Sequence, residues 1–503
     1  MAEPIIWDEK QKVQGNRVTV DPITRLEGHG KIEIFLDDKG DVQNAYWQIP
    51  EVRGFERFCV GRRITELPQI TARLCGVCPG AHHLAASKAV DGCFNAKPTP
   101  AAYHIRDTFY MAHFIHSHIA HFYALAAGDF VCGPAAPAAA RNVLGVVGAV
   151  GAETGLAVLK AREEAQRVQA ILGGKPTHPL LAVPGGVSKA VSQADAEEIK
   201  AIADKLVPFA ELSLDIFKQQ VLDNKEYVEI ITNKDLYYHE TYHMSLVNDK
   251  GQTDFYDGKV KIIDQEGKEV DLYDPKDYLD HIAEAAMPWS YEKFPYMRKP
   301  GFKGLVDGPD SGLYRATPLS RMNVTKDLPY PKSNEALKAY RELLSPDGKP
   351  VQFTLATHYA RLIEMLYAAE KLQDLANSDL LVDPNVKQTD LVPGGRGVGC
   401  VEAPRGTLTH DYTCDENGIV TACNMVVGTT NNNGPICMDV AKVAKALIHN
   451  YEVSPGLLNM VEMAFRAYDP CNSCATHSLP GQMPLVAEIR HADGSMYKTV
   501  SQN

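Results

Sequence analysis

Two cysteine pairs near opposite ends of the chain offer soft ligands for a metal. Cys75 and Cys78 lie in RLCGVCPGAH, Cys471 and Cys474 lie in DPCNSCATH, and a histidine follows each pair within a few residues. Two thiolates separated by two residues can bind one metal ion from a single turn of chain. If the ends of the chain meet, the two pairs supply four sulfur ligands to one site.

Cysteine pairs of this kind also occur in structural zinc modules and in thiol redox proteins. A zinc ribbon usually keeps its two pairs about 15–20 residues apart, whereas nearly the whole chain separates these pairs. A thioredoxin-like motif needs a surrounding βαβ pattern, which the first pair lacks. Spacing alone therefore leaves both structural zinc and a shared functional metal site open.

Composition narrows the class of protein. The 503 residues are 45% hydrophobic and 23% charged, which is typical of a globular chain that buries a large core. The net charge of −12 makes nucleic acid and anionic membranes poor partners. No stretch of about 20 apolar residues predicts a membrane span, and no secretory signal pattern opens the chain. The odd count of 11 cysteines favours thiols in a reducing compartment.

Hydrophobic periodicity indicates the elements that must position the cysteines. Helices are predicted over about 101–128, 152–173, 193–223, 353–376 and 437–468. Strands are predicted within 17–50, 227–275 and 391–433, and an ordered loop region over 287–335. We expect a mainly α fold with small β regions (α+β). A long-helix bundle would form its core, and the N- and C-terminal segments would meet at a buried metal site.

Further motifs accompany the cysteines in the order of one known family. They are DPITRLEGH (21–29), RGFE (53–56), RLCGVCPGAH (73–82), GGKPTHP (173–179), PGG (184–186), EAPRG (402–406) and DPCNSCATH (469–477). Together they span nearly the entire chain, which resembles the large subunit of nickel–iron hydrogenases. The resemblance implies an enzyme that cleaves dihydrogen heterolytically and reversibly into protons and electrons.

The resemblance also implies a binuclear nickel–iron centre held by the four cysteines. By position, Cys75 and Cys471 would be terminal nickel ligands, and Cys78 and Cys474 would bridge nickel and iron. The iron would carry carbon monoxide and cyanide ligands made by maturation proteins. Soft thiolates suit nickel through a redox change, and an open metal position would admit dihydrogen.

Other motif residues match family positions around this centre. Glu27 would relay protons from a terminal cysteine, and Arg405 would order the pocket and polarise the substrate. His82 would hydrogen-bond a bridging sulfur and tune its basicity. Pro404 and Thr429 match positions that face the cyanide ligands. Without the resemblance, Glu27 is equally an exposed or helix-capping carboxylate, and Arg405 an ordinary ion-pairing residue.

A second metal ion and a processing site follow from the same resemblance. Glu56 and His477 would bind magnesium or a similar divalent ion, with Met425 donating a backbone carbonyl, since hard ions prefer oxygen ligands. A maturation endopeptidase would cut after His477. We therefore expect a large-subunit domain over 1–477 and a removable extension over 478–503. The alternative is a permanent C-terminal strand, because LVAEIRH alternates apolar and polar residues.

Some residues depart from the family pattern or carry weak signals. Ser117 stands where many members have an aspartate, so the charge above the metals is expected to differ. His83 and the remaining seven cysteines are predicted to be packed, buried groups. The long helix carries further histidines that we predict to be core residues rather than a proton route: His104, His113, His116, His118 and His121. The glycine-rich PGGRGVGC lacks the ending of a phosphate loop, which argues against nucleotide binding.

No nicotinamide, flavin or iron–sulfur motif is evident, so electrons must leave through a partner. In the family this partner is an iron–sulfur small subunit. HSHIAHFYALAA, HHLAASKAVDGCF, TTNNN and RAYDPCNSCATH are similar to the cytoplasmic multimeric branch. The sequence is nearest to its methyl-viologen-reducing type, which works with heterodisulfide reductase. The NAD-coupled type, with a diaphorase, is the alternative.

Two interpretations belong to other classes of protein. A metal-free relative, similar to the quinone-site subunit of respiratory complex I, would lack the paired cysteines, and this chain has all four. A non-enzymatic scaffold stabilised by zinc would use the same thiols without dihydrogen chemistry. The identity of the bound metal therefore separates the scaffold from the enzyme.

Overall fold

Long helices and small sheets make up the computed structural model, which describes residues 10–476, 485–490 and 496–502. The main helices are α1 (Phe55–Cys59), α2 (Pro79–Cys93), α3 (Pro100–Ile119), α4 (Ala152–Gly173), α5 (Gln193–Phe217), α6 (Pro318–Val324), α7 (Thr357–Ala376), α8 (Asn433–Leu447) and α9 (Pro455–Arg466). Further helices lie at Leu67–Thr71, Gly128–Val131, Val143–Val150, Lys225–Ile231, Tyr278–His281, Pro331–Leu344 and Asn472–Ala475. The predicted α+β class is confirmed.

The strands form several small sheets rather than one large one. The main strands are β1 (Arg17–Val20), β2 (Lys31–Leu36), β3 (Val42–Gln48), β4 (Tyr242–Val247), β5 (Lys259–Ile263), β6 (Glu269–Tyr273), β7 (Gly395–Ala403), β8 (Gly406–Cys414) and β9 (Val420–Val426). β1–β2–β3, β4–β5–β6 and β7–β8–β9 are antiparallel runs. Minor strands lie at Gln11–Lys12, Ala182–Val183, Gly186–Val187, Ile282–Ala286, Lys293–Met297, Tyr314–Arg315, Glu452–Val453, Leu485–Arg490 and Met496–Gln502.

Local sequence explains where the long helices begin and end. Thr99 caps α3 by accepting a first-turn amide, and Pro100 follows where no amide donor is needed. Ser192 caps α5 in the same way. Gly174, at φ 73°, ends α4 in the left-handed conformation that glycine adopts without strain. The four long helices predicted before residue 380 are confirmed as α3, α4, α5 and α7.

These four helices pack side by side, with α3 and α5 each lying against both α4 and α7. Residues 104–119 of α3 and 357–372 of α7 are all buried, so both helices are enclosed by protein. Burial of apolar side chains stabilises this packing. The polar side chains of these two helices are also buried, and they need hydrogen-bond or charge partners because an unpaired buried polar group destabilises the fold.

Two glycines of the glycine-rich run bring β7 close to α2. A Cβ atom placed on Gly397 would lie 2.0 Å from the Ala89 carbonyl oxygen, and one on Gly399 would lie 2.0 Å from that of Ala85. Only glycine therefore allows the strand to contact the helix backbone. The glycines of this run therefore serve helix–strand packing.

The N- and C-terminal parts of the chain meet, as predicted. Glu27 forms a parallel bridge with Cys471, in which the Asn472 amide donates to the Glu27 carbonyl at 3.0 Å. The next residue, Gly28, has φ 84°, and a Cβ there would lie 2.7 Å from the Ser473 amide nitrogen. A glycine is thus needed for the two segments to approach this closely.

Three predicted elements differ from the structure. The helix predicted over 437–468 is two helices, α8 and α9, because Asn450 and Tyr451 take positive φ angles and reverse the chain. The predicted loop region 287–335 contains two strands, α6 and the start of a further helix. The strand region predicted from 227 opens on the helix Lys225–Ile231. Local caps mark the starts of these helices, because Ser454, Thr317 and Asn224 each accept a first-turn amide.

The last described segments are two strands, Leu485–Arg490 and Met496–Gln502, which pair antiparallel with each other. Strand structure in this part of the chain agrees with the alternation of LVAEIRH. Whether the extension is removed stays a prediction, and His477 lies outside the described residues. Among the helices that the structure describes, none is long and apolar enough to cross a membrane.

Candidate metal centre

The two cysteine pairs form one buried cluster. The sulfur atoms of Cys75, Cys78, Cys471 and Cys474 lie within 4.8 Å of one another, and no side chain is more than 5% exposed. The Sγ–Sγ distance is 3.2 Å between Cys75 and Cys471 and 3.5 Å between Cys78 and Cys474. The sulfurs of Cys471 and Cys474, within one motif, are 2.8 Å apart, and each motif contacts the other at both of its cysteines.

Backbone geometry fixes the positions of these sulfurs. Cys75 lies in extended conformation after a short 3₁₀ turn, and Cys78 immediately precedes α2. The Val77 and Cys78 amides both donate to the Cys75 sulfur at 3.1 Å. Cys471 precedes the turn Asn472–Ala475, and its amide donates to Thr429 Oγ1 at 2.9 Å. Amide donors and a helix N-terminus both favour a negatively charged sulfur.

Burial opposes the ionisation of these thiols, but hydrogen bonds from the other three cysteines hold the pKa of Cys75 well below its usual range. Burial raises the pKa of Cys471 and Cys474 well above the usual range, and the neighbouring thiols add to this effect at Cys471. Since a thiolate rather than a thiol binds metal, all four sulfurs ionise only if positive charge is supplied. The all-sulfur donor set fits soft or borderline metal ions such as nickel and iron.

Arg405 lies at the tip of a hairpin that enters the site. β7 and β8 pair Ala403 with Gly406, which leaves Pro404 and Arg405 as the two-residue turn. Arg405 is 3% exposed, and its Nη2 donates to Asp469 Oδ1 at 3.0 Å. Its Nε and Nη1 have no hydrogen-bond partner among the described residues. These buried donors fit an acceptor group bound beside the sulfurs.

Glu27 contacts the cluster directly. The Cys471 thiol donates to Glu27 Oε2 at 2.9 Å, and the Ser473 amide donates to the same oxygen at 3.2 Å. Burial raises the pKa of Glu27, and the nearby charge of Cys75 raises it further. The carboxylate is therefore placed to accept a proton from a sulfur and to hold it.

His82 lies on the other side of the cluster, on α2. Its Nε2 is 3.3 Å from the Cys474 sulfur and its Nδ1 is 3.1 Å from His410 Nε2. The predicted contact with a sulfur is thus present. Neighbouring His83 contacts the Pro68 carbonyl and accepts from the Ala182 amide, so it is a satisfied core histidine, as predicted.

The predicted hard-ion ligands are only partly described. The Met425 amide donates to Glu56 Oε1 at 2.7 Å, so these two residues are neighbours, and burial raises the pKa of Glu56 to about 7. The binding of an ion by Glu56, the Met425 carbonyl and His477 stays a prediction. Thr476 lies beside the RGFE motif that contains Glu56, because the Thr476 carbonyl accepts a hydrogen bond from the Arg53 amide at 3.1 Å.

Several residues that contact the site are not among the predicted site residues. Arg53 donates to the carbonyls of Leu74 and Ser473 at 2.7 and 2.9 Å, and so ties the two cysteine motifs together. Asp469 holds Arg405, and His178 Nε2 lies 3.1 Å from the Cys75 carbonyl. Arg53, Asp469 and His178 lie within the quoted motifs, which is the signal that could have identified them. His410 lies in none.

The histidines of α3 and the turn after it are core residues, as predicted. The partners of His104 and His121 are the carbonyls of Leu375 and Arg466, both at 2.8 Å, and His118 contacts Glu364 at 3.0 Å. Burial lowers the pKa values of four of them below the usual range: His113, His116, His118 and His121. Ser117 is buried, and its hydroxyl has no partner among the described residues.

The seven remaining cysteines are free, and the prediction that all are buried is wrong for two of them. Cys132 and Cys423 are only half-buried. The buried ones are Cys59, Cys93, Cys400, Cys414 and Cys437. Cys132 follows the short helix Gly128–Val131, and Cys423 lies on β9, the edge strand of its sheet.

A cleft of about 580 Å³ opens beside the cluster. Its lining includes Cys75, Glu27, Arg73, His178 and Ser473. The cleft therefore reaches from the molecular surface to one sulfur and to the carboxylate that contacts another.

Family models match most of the chain. One described as "Nickel-dependent hydrogenase" matches residues 53–143 and 215–477, and one described as "HoxL-like" matches residues 17–52. The matched ranges include all four cysteines of the cluster. The family match therefore covers the metal-binding residues themselves.

Individual proteins are similar over nearly their full length. The chain is 43% identical over 485 residues to an F420-non-reducing hydrogenase iron-sulfur subunit of Archaeoglobus profundus, covering 96% of this chain and 99% of that protein. It is 37% identical over 500 residues to the beta subunit of the NAD-reducing hydrogenase HoxS of Cupriavidus necator, covering 95% and 98%. A crystal structure of an NAD+-reducing NiFe-hydrogenase is 36% identical, with a TM-score of 0.85, covering 93% and 100%.

Proposed function

The chain belongs to the nickel-dependent hydrogenase family, and we propose that it is the catalytic large subunit of a nickel–iron enzyme that splits dihydrogen reversibly. It is an oxidoreductase acting on dihydrogen. The observation that carries the proposal is the buried cluster of Cys75, Cys78, Cys471 and Cys474. The two motif pairs contribute equally to it, as a shared centre requires.

These four cysteines would hold nickel and iron, Cys75 and Cys471 as terminal ligands and Cys78 and Cys474 as bridging ligands. When bound, the metals supply a redox-active Lewis-acidic centre at which dihydrogen is split into protons and electrons. Carbon monoxide and cyanide on the iron are part of the proposal. The unpartnered Nε and Nη1 of Arg405 support a hydrogen-bond acceptor there. Pro404 and Thr429 would face the cyanide ligands.

The protein's own residues would move the proton. A proton held on Cys471 Sγ would pass to Glu27 Oε2, which lies 2.9 Å away. The raised pKa of Glu27 suits this role, because the carboxyl can hold the proton before releasing it. Arg405, oriented by Asp469, would keep positive charge above the sulfurs, and His82 would donate a hydrogen bond to Cys474.

A divalent ion such as magnesium would bind near the end of the mature chain. Glu56 supports this site, because its carboxylate is buried against the Met425 amide and burial opposes its ionisation. A bound cation would reverse that effect. His477 and the Met425 carbonyl complete the proposed ligand set.

Electrons would leave to an iron–sulfur small subunit that covers the cleft beside Cys75. The similar proteins are named as subunits, which supports a multi-subunit enzyme. Identity to the F420-non-reducing type exceeds that to the NAD-reducing type, which favours coupling to heterodisulfide reductase over a diaphorase. The free thiols suit a reducing cytoplasm. The long-helix bundle of α3, α4, α5 and α7 would be the core of this subunit.

Residues 1–477 would form the mature subunit, and residues 478–503 would be removed by the maturation endopeptidase. The mass of the large subunit in active complex tests this step. A chain that ends at residue 477 supports it, and a full-length chain in fully active complex contradicts it.

Metal analysis and dihydrogen uptake test the proposed function. The anaerobically purified native complex is compared with the variants Cys471→Ala and Cys437→Ala. Cys437 is a matched control, because it is equally buried and free but lies outside the cluster. We expect nickel, iron and uptake in the native and Cys437→Ala proteins, and loss of all three in Cys471→Ala. Zinc alone in active, native complex would contradict the proposal and support a zinc scaffold.

A further inference from the structure

A chain of buried hydrogen bonds runs from the metal-binding cluster into the protein. His82 Nε2 lies 3.3 Å from the Cys474 sulfur, and His82 Nδ1 lies 3.1 Å from His410 Nε2. His410 Nδ1 in turn contacts the Tyr412 hydroxyl. His82, His410 and Tyr412 are at most 1% exposed, so bulk water does not compete for these bonds.

One strand and one helix place these three side chains next to one another in space. His410 and Tyr412 are alternate residues of β8, so both project from the same face of the strand. Helix α2 packs against β8 and carries His82. The ring centroids lie 5.3 Å apart for His82 and His410, and 5.6 Å apart for His410 and Tyr412. The chain of bonds is thus built by one strand and one helix.

Only two directions of donation are compatible with neutral rings. A neutral imidazole has one N–H donor and one acceptor nitrogen, so each ring donates on one side and accepts on the other. In one direction Cys474 donates to His82 and Tyr412 is the final acceptor. In the other, Tyr412 donates to His410, His410 donates to His82, and His82 donates to Cys474.

A metal-bound Cys474 selects the second direction. The ligand form of cysteine is the thiolate, which has no proton to donate. The phenol at the far end remains a donor, because burial raises the pKa of Tyr412 well above its usual range. The chain then ends in a hydrogen bond from His82 Nε2–H to the metal-binding sulfur.

We propose that His410 and Tyr412 are positioning residues that fix the tautomer of His82 and so maintain the hydrogen bond to the Cys474 sulfur. This inference rests on the proposed function, since it requires metal at Cys474. Hydrogen bonds to ligand sulfurs withdraw electron density and raise the reduction potential of a metal centre. This series of hydrogen bonds from Tyr412 through His410 to His82, the relay, therefore tunes the reduction potential of the metal through residues that do not bind it.

The test uses the native complex with Tyr412→Phe, which removes the terminal donor and keeps the ring. Tyr237→Phe is the matched control, because Tyr237 is equally buried and its hydroxyl donates to the Met460 carbonyl at 2.7 Å. The readouts are the infrared bands of metal-bound carbon monoxide and cyanide, the reduction potential, and the nickel content.

In Tyr412→Phe we expect the carbon monoxide band at lower wavenumber, a lower reduction potential and unchanged nickel content. Turnover should fall about 10-fold, the lower end of the effects of outer-shell changes on metal sites. Tyr237→Phe should show native bands. Native bands and potential in Tyr412→Phe, or equal shifts in both variants, would overturn the relay. If the native complex itself lacks the bands, the proposed function fails instead.

A second pair of variants keeps the test informative if Tyr412→Phe folds poorly. His410→Gln retains an N–H that can donate to His82 Nδ1, whereas His410→Leu removes it. The relay predicts bands close to native for His410→Gln and shifted bands for His410→Leu. Identical spectra for the two variants would contradict it.

Discussion

Replacing Glu27 with glutamine removes a proton acceptor from beside Cys471 and hardly changes the size of the side chain. Glu27 Oε2 accepts from the Cys471 thiol at 2.9 Å and from the Ser473 amide at 3.2 Å. A glutamine carbonyl oxygen can accept both bonds, so the local structure and the four sulfurs should stay in place. An amide cannot take up the proton, however, which isolates the chemical role of the carboxylate.

The size of the effect follows from the role of a general base. Positioned proton transfer contributes about 10²–10⁴-fold to a rate. At about 1.4 kcal/mol for each factor of ten, the loss corresponds to about 3–6 kcal/mol of transition-state stabilisation. Glu27→Asp should lie between native and glutamine, because its carboxylate withdraws by one methylene from a sulfur that now lies at 2.9 Å.

Exchange between dihydrogen and deuterated water measures this step without the electron partner. The native complex should exchange rapidly, and Glu27→Gln should be slower by the factor above at equal nickel content. Glu198→Gln, which breaks an exposed ion pair with Arg167, is the control and should exchange at the native rate. Exchange by Glu27→Gln at the native rate would refute the proton role of Glu27.

Three further predictions concern pH, stability and packing. Because burial raises the pKa of Glu27, dihydrogen oxidation should fall as pH decreases through that raised pKa, and Glu27→Gln should lose this dependence in a pH–rate profile. Arg321 pairs with buried Glu364 and Glu402, so Arg321→Met should destabilise the protein by about 3–5 kcal/mol in denaturant unfolding. A loss below about 1 kcal/mol would contradict this. Gly399→Ala should cost at least about 1–3 kcal/mol, since its Cβ would lie 2.0 Å from the Ala85 carbonyl oxygen; native stability would contradict that contact.

The sequence predicts those features that depend on local pattern. The long helices are encoded by apolar periodicity and by caps such as Thr99 and Ser192, so the starts of α3, α4, α5 and α7 are predicted within a few residues. The predicted C-terminal ends of α3 and α5 lie later than the observed ones, because π-helical turns continue the chain after both helices. The cysteine cluster is predictable because its ligands lie in two short motifs. The break between α8 and α9 is only partly marked, because Ser454 caps α9 and Pro455 opens it, whereas the left-handed turn at Asn450 and Tyr451 contains no glycine.

Features that depend on contacts between distant segments cannot be predicted from local sequence patterns. His410 acquires its role only because β8 packs under α2, which brings it to His82. Arg321 likewise has no motif, and its partners Glu364 and Glu402 come from α7 and β7. Such pairings follow from the three-dimensional packing of the chain, which periodicity and spacing do not encode.

The infrared spectrum of anaerobically purified, mature native complex tests the central claim most directly. The nickel–iron centre predicts bands of metal-bound carbon monoxide and cyanide in the native protein and in Cys437→Ala. The same bands should be absent from Cys471→Ala, because one of the four sulfur ligands is lost. Mature native complex that contains no such bands would contradict the assignment of these cysteines to a nickel–iron centre.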